Sequence, residues 1–481
     1  MVKVAGGCTT LPAMAMGKRP RDRQPTMWVP TTELPTAASH PFYARLNQLL
    51  RDGGFDDFAE ARCAPFYATT MGRPGLAPGI YFRLLLIGYF EGLDSERAIA
   101  WRAADSLTLR DFLGLAFPDA PPDHSTISRT RRLIDVETHR DLFTWVLARL
   151  GEVGLVKGHT IAIDATTLEA NAALRHIVRR DTGETYHAFL TTLAQASGIE
   201  TPTRAELTKL DRQRKKKGSN DEWASPSDPD AKITKMKDGR THLAHKAEHA
   251  VDLETGAIVA VTIQGADEGD TQTLPDTLAE AVGQLDQVTD ADGDPVGLAD
   301  EVVADKGCHS RAVVLDLTTH GFRTYFSEPA RGPQSWPDQA DAREAVYANR
   351  RRIRGGRGKA LLRQRGERVE RSFAHTYDTG GMRRLYLRGA RNILKRVLVH
   401  ASGFNLGLAM RRLMGVGTPR GLQGRLAALM ALLAALYRAI AGPVTARSAW
   451  LPAHDHGDAS RMPHYSLHFS RSGIGTCTTG C

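Results

Sequence analysis

Three acidic residues on separate stretches are the first candidates for chemistry. Thr160-Ile-Ala-Ile-Asp164 reads as a short, buried, β-branched strand that delivers a carboxylate at its end. A carboxylate there is costly to bury unless a cation meets it. Glu301-Val-Val-Ala-Asp305-Lys-Gly307 repeats the device, an apolar strand running into an aspartate and a glycine turn. Further on, Arg368-Val-Glu370-Arg-Ser-Phe373 sets a glutamate on a strongly basic helix. Taken singly, each aspartate reads as a turn cap. Taken together, two strand-end aspartates and a helix glutamate are the donor set of a two-metal phosphoryl-transfer centre. Mg2+ takes only a few carboxylate oxygens and keeps its other positions for water and phosphate.

Periodicity supplies the elements that must position these acids. Residues 1–40 are rich in Pro, Thr and Gly without a period and read as a disordered leader. Helical patterning follows over 41–150. Phe42 to Leu50 has apolar residues at helical spacing, Ile80 to Phe90 reads as a buried helix, and Ser95 caps the next. Pro121 to Arg132 places a Ser/Thr/Arg-rich helix after a turn, and Ser125, Ser128 and Arg129 on it suit phosphates and base edges. The same residues also suit a solvated helix in a bundle. The core is expected over 157–413, interrupted by a polar insertion at about 173–238 with too few apolar residues for a core of its own. His242 to Val251 and Ala257 to Thr262 form an antiparallel hairpin across Asp252–Gly256. A helix from Thr271 to Leu285, a strand at Gly321–Phe326 and an amphipathic helix from Ile393 to Met414 complete it. Residues 414–481 read as a helix over Leu422–Ile440 and a poorly ordered tail.

Charge narrows the partner. The 481-residue chain carries a net +9 and 42% hydrophobic residues, so it can build a sizeable core while favouring a polyanion. From Arg350 to Arg396 there are 16 Lys and Arg against 3 acidic residues, a local net of 16 − 3 = +13. So one-sided a segment is the electrostatic footprint of nucleic acid. The five cysteines are scattered, without a C-x-x-C pair, which argues against a disulfide framework or a zinc ribbon. No signal peptide or membrane-spanning run is evident, and a soluble cytoplasmic protein is expected.

An acid-bearing strand, a hairpin and a second acid-bearing strand follow the ribonuclease H-like order. Ile163-Asp164-Ala-Thr-Thr167, Ala304-Asp305-Lys-Gly-Cys-His309-Ser310, Val369-Glu370-Arg-Ser-Phe373, Gly381-Met-Arg-Arg384 and Leu387-Arg-Gly389 resemble the DDE transposases of bacterial insertion sequences. Gly79 to Leu93 and Pro122 to Ser128 resemble the helical N-terminal domain of the same proteins. The resemblance covers residues 40–415 and implies a mixed α/β sheet flanked by helices, an all-α N-terminal domain and a helical or irregular insertion. It further implies metal-dependent DNA strand cleavage and transfer at transposon ends, with Asp164, Asp305 and Glu370 holding Mg2+ or Mn2+. Double-stranded DNA (terminal inverted repeats and target) and assembly as a homodimer or higher oligomer on that DNA come with it. Arg368, Arg371, Arg383, Arg384, Arg388 and Lys246 would grip the backbone, where guanidinium forks suit phosphate. Relatives carry a Tyr-x2-Arg-x3-Glu-x6-Lys signature; here Gly366 stands at its arginine place and Tyr377 at its lysine place. Val369, Phe373 and Leu362 form an apolar stripe, and Glu370 adjoins it.

Three other readings remain. Another ribonuclease H-like nuclease would share the acids but not the N-terminal helices. A non-catalytic DNA-binding regulator would not need all three. A zinc hydrolase built on His242, His245 and His249 is the weakest, since these residues alternate between faces of a strand.

Overall fold

The computed structural model describes residues 40–68, 75–116, 119–214, 218–236, 238–297, 299–330, 332, 334–422, 433 and 436. The expected leader at 1–40 falls outside them save for His40, as do Lys215–Lys217 and the tail. So does the expected helix over 422–440, apart from Leu422, Leu433 and Leu436. The chain divides into two units, Met1–Gly424 and Arg425–Cys481, and the elements named below lie in the first.

Among the described residues the strands are β1 (Thr160–Glu169), β2 (Val178–Arg179), β3 (Trp223–Ala224), β4 (Lys232–Lys235), β5 (Thr241–Asp252), β6 (Ile258–Gly265), β7 (Glu301–Ala304) and β8 (Arg323–Phe326). β2 and β3 pair alone. The rest form one mixed sheet in the order β4-β5-β1-β7-β8, with β6 also on β5. β5 is antiparallel to β1 and β6, whereas β7 runs parallel to β1 and β8. The mixed sheet flanked by helices is the fold class expected from the sequence. The β5–β6 hairpin closes because the buried Asp252 carboxylate accepts from the Glu254 amide at 2.8 Å while Gly256 takes a positive φ of 84°.

The helices are α1 (Pro41–Asp52), α2 (Phe55–Cys63), α3 (Pro78–Glu91), α4 (Glu96–Ala104), α5 (Leu107–Phe112), α6 (His124–Leu133) and α7 (Val136–Glu152), followed in the insertion by α8 (Tyr186–Ala196) and α9 (Arg204–Gln213). Then come α10 (Asp270–Leu285), α11 (Arg311–Thr319), α12 (Ala340–Arg354), α13 (Gly356–Phe373) and α14 (Ala390–Met414). Ser95 caps α4 through its hydroxyl, as its position suggests. α10 covers one face of the sheet through Thr273 and Thr277, and α13 the other through Arg365 and Ser372.

Two expectations need correction. The insertion does build a core: Trp223 is fully buried among Ile177, Ala231 and Leu243, with Tyr186 and Phe189 against it. Nor is α14 amphipathic. It is buried nearly all round, because its polar residues have internal partners. Lys395 donates to the Arg131 and Ile134 carbonyls at 3.0 and 2.7 Å, closing the C-terminal end of α6. Asn405 bonds both the amide and the carbonyl of Ile258 on β6. At the start of α14, Asp228 and Asp230 of the insertion accept from the Gly389 and Ala390 amides.

One apolar cluster runs without a break from Phe42 on α1 through the sheet to Met410 on α14. The helical residues expected as a separate unit at 41–150 share that core. A fragment ending at Ile134 loses both α7 and α14, leaving buried residues such as Phe82 and Ile127 exposed. We expect circular dichroism to show it unfolded, whereas a natively helical fragment would mean the shared core is dispensable.

Loss of hydration holds the buried imidazoles of His139 and His249 down at about 3, and His400 well below its ordinary value. Their folded-state values are depressed, so the stability they contribute is present above about pH 6.5 and drains away as pH falls toward 3. Each adds up to about 1.4 kcal/mol per pH unit in that window. His249→Gln is expected to make the fall in urea stability from pH 6.5 to 4 shallower by about one proton. An unchanged slope would show that His249 is already charged in the fold.

Candidate active site

Parallel pairing of β1 with β7 matches Thr160 to Glu301, Ile161 to Val302 and Ala162 to Val303. Carried on two steps, the same register sets Asp164 beside Asp305, on neighbouring strands about 5 Å apart. The Asp305 side chain accepts from the Lys306 amide, and Asp164 Oδ1 from the Ala165 amide at 2.9 Å. Burial pushes the Asp164 carboxyl above its ordinary value, the Arg365 guanidinium pulls against that, and the nearby Asp305 charge reinforces burial.

Asp164 faces α13. Its partner across β5 is His249, whose ring meets Ser372 and Tyr377 at 2.9 and 2.7 Å. The Ser372 hydroxyl already donates to the Val369 carbonyl, so Nδ1 of His249 donates to Ser372 and Nε2 accepts from Tyr377. α13 runs along β1 in the strand direction. Arg357 reaches Glu301 at 2.6 Å, and eight residues later Arg365 reaches Asp164 Oδ2 at 2.7 Å. Eight helical residues rise about 12 Å and the four strand residues from Thr160 to Asp164 about 13 Å, so the contacts stay in step.

Glu370 falls elsewhere on the helix. It sits five residues past Arg365, about 140° round and about 7.5 Å along, and is exposed. Among the described residues no three of His, Cys, Asp and Glu converge to hold a metal. Asp164 and Asp305 have the hard oxygens a divalent cation seeks, but the third acid stands apart and a guanidinium occupies Asp164. As folded, the arrangement does not fit a two-metal centre. His242, His245 and His249 do not meet either: His242 binds Asp238, His245 binds Asp228, and His249 bonds Ser372 of α13.

Arg365 is the site residue that sequence reading missed. The signal was there: an aspartate ending an apolar strand requires a cation, and Arg365 lies one residue before the vacant arginine place at Gly366. Tyr377, at the lysine place, is fully buried and serves His249.

The opposite face is a closed network. Lys246 is buried, paired with Asp270 at 2.7 Å and Glu248 at 3.0 Å, and donates to Thr273 Oγ1 at 2.8 Å. Glu248 also accepts from both Thr273 and Thr277. Lys246, expected to hold DNA, therefore has its ammonium donors committed inside the protein. His309 is likewise buried, 3.2 Å from Glu328.

The expected backbone contacts fall on two surfaces. Arginines follow β1 past its end: Arg383 donates to Thr166 Oγ1 and pairs with Asp378, Arg384 lies 3.9 Å from Glu169, and Arg388 donates to the Asn171 carbonyl. Arg384 and Arg388 are exposed, Arg371 pairs with Glu367 at 2.7 Å, and Arg368 lies half-buried against the Gly256 turn. On α6, Ser125 and Arg129 are exposed, while Ser128 accepts from Arg131 at 3.3 Å.

Residues 33–133, which include α1 to α6, match the family model described as Transposase domain (DUF772). No curated protein matches the chain. The family match supports a transposase role, and with it DNA as the partner. Among the described residues no helix is long and apolar enough to cross a membrane.

Removing one partner from a buried charge network leaves the others uncompensated. Lys246→Met is therefore expected to cost on the order of 3 kcal/mol in urea unfolding. Gel-shift affinity of the folded variant for DNA should stay unchanged. A loss of affinity without a loss of stability would return Lys246 to the DNA surface.

Proposed function

We propose that the chain is a transposase that cleaves DNA at the ends of its own element and joins those ends to target DNA. Asp164 and Asp305 are its reactive carboxylates. The observation that carries this reading is the β1–β7 register, which leads Asp164, mid-way along β1 where the expected strand would have ended, close to Asp305 just past β7, next to a row of arginines. The transposase-domain match over the N-terminal helices supports it. In this reading α6 meets the duplex, while Arg383, Arg384 and Arg388 hold the strand that passes the carboxylates. Glu370 and a requirement for Mg2+ or Mn2+ carry over from the resemblance to DDE transposases, as does assembly into a homodimer or higher oligomer on DNA.

A second reading is a DNA-binding regulator descended from such an enzyme. The exposed position of Glu370, apart from the aspartate pair, favours it.

Nicking of a duplex carrying the element's own ends separates the two. Asp164→Asn, Asp305→Asn and Glu370→Gln are expected to abolish nicking in Mg2+ or Mn2+, with gel-shift affinity kept within a few fold, because affinity rests on the basic surfaces. Glu367→Gln, which removes only an exposed pair with Arg371 worth a few tenths of a kcal/mol, should nick normally. No nicking by the wild type under any divalent cation selects the regulator.

A further inference from the structure

We propose that the outward face of α12 is a docking surface for duplex DNA of arbitrary sequence, the flank that continues past the end of the element. The inference rests on the transposase reading and adds a surface apart from the carboxylates and from the arginines along β1.

α12 is buried on one side only. Ala342, Ala345, Val346 and Asn349 face the protein, and Asn349 bonds both the amide and the carbonyl of Phe326 on the edge strand β8. At about 100° per residue, Arg343, Tyr347, Arg350, Arg351 and Arg354 fall together on the other side, in a stripe about 100° wide. From Arg343 to Arg354 the helix rises about 16 Å, the axial span of about five phosphates on one strand. Of the two acids on α12, Asp341 falls outside the stripe and Glu344 at its margin.

The stripe is built rather than merely charged. Arg350 Cζ lies 4.9 Å and Arg343 Cζ 5.7 Å from the centre of the Tyr347 ring. Trp336 stands 6.4 Å from the same ring, with Arg311 4.1 Å over its own. A guanidinium stacked on a ring keeps its edge donors free. Arg350 pairs through Nε with Glu328 at 2.7 Å, while Arg343, Arg351 and Arg354 are exposed and, among the described residues, form no ion pair. A line of fixed cation edges suits phosphates. A single strand would need open ring faces on which to stack its bases, and here guanidinium groups lie over them. Nor does the stripe hold Ser, Thr, Asn or Gln to read base edges, in contrast with α6.

Position identifies the stretch of DNA. Ala304 pairs with Phe326, so α12 meets β8 level with the turn that begins at Asp305. Arg350 reaches Glu328, which lies 3.2 Å from His309 at the end of that turn. In the transposase reading α6 and the β1 arginines take the element's own end. The DNA that reaches α12 is the part that continues beyond that end, whose sequence is not fixed.

The test compares two duplexes by gel shift on the full chain, one cut flush at the element's boundary and one extended past it by arbitrary sequence. For the wild type, log affinity is expected to fall more steeply with log salt on the extended duplex. Arg343→Gln, Arg351→Gln and Arg354→Gln combined should lower that slope by up to about 2.7, three phosphate contacts' worth, and leave the flush duplex unchanged. Arg343→Lys, Arg351→Lys and Arg354→Lys combined should restore it, because the charge returns. All three side chains are exposed, so urea unfolding of both variants should match the wild type. An unchanged slope on the extended duplex, or an equal loss on both duplexes, overturns the α12 surface. A loss confined to unrelated duplex assigns the stripe to target DNA and overturns the flank. A wild type that does not prefer the element's end to unrelated duplex overturns the transposase reading itself, whatever the variants show.

Discussion

The pairing of β1 with β7, which brings Asp164 in the middle of β1 close to Asp305 just past β7, is the constraint around which this molecule is arranged. Strand spacing leaves Asp164 and Asp305 no choice but to be neighbours. The Asp305 charge opposes ionisation of Asp164, in addition to the cost of burying it. The fold accepts that repulsion where β7 ends and β1 runs on toward Glu169. It meets the charge from a separate element, the long basic helix α13, whose Arg365 arrives in step with the strand.

The two faces of the sheet handle the same charge types in opposite ways. On the α10 face, Lys246, Glu248, Asp270 and two threonines satisfy one another, with Lys246 and Glu248 buried and only Asp270 reaching solvent. Nothing is left to recruit. On the α13 face the balance is looser: Asp164 meets one guanidinium whose Nε is without a hydrogen-bond partner among the described residues, and further arginines run outward along the β1 extension. A protein that needed only stability would have matched the second face to the first. That contrast accords with the proposal that the α13 face is the one that meets DNA.

How far the sequence could be read depended on whether a residue's surroundings are local. β1 and β7 were legible because three consecutive apolar, largely β-branched residues leave few alternatives to a buried strand, though β1 runs on past Asp164 to Glu169, and the hairpin was legible because Asp252 and Gly256 dictate its turn. The acids came with the strands. What escaped depended on partners distant in sequence. Lys395, His400 and Asn405 look like the polar side of an amphipathic helix until Arg131, Thr376 and Ile258 are brought to meet them. Trp223 seemed too isolated for a core because Ile177 and Leu243 flank it only after folding. On α13 the apolar stripe of Val369 and Phe373 was correct, but the buried face also takes in Ser372 and turns toward Arg365. That rotation leaves Glu370 on the open side.

The rigid parts explain why the remaining freedom is confined to side chains. Lys395 fixes the end of α6 to α14, Asn405 fixes α14 to β6, and β6 pairs with β5 beside β1. From the helix expected to touch DNA to the strand that carries Asp164, the path consists of buried hydrogen bonds and sheet pairing, with no flexible linker in between. If α6 meets the duplex as proposed, this frame sets its distance from the carboxylates, and adjustment is left to side chains such as Arg365 on α13.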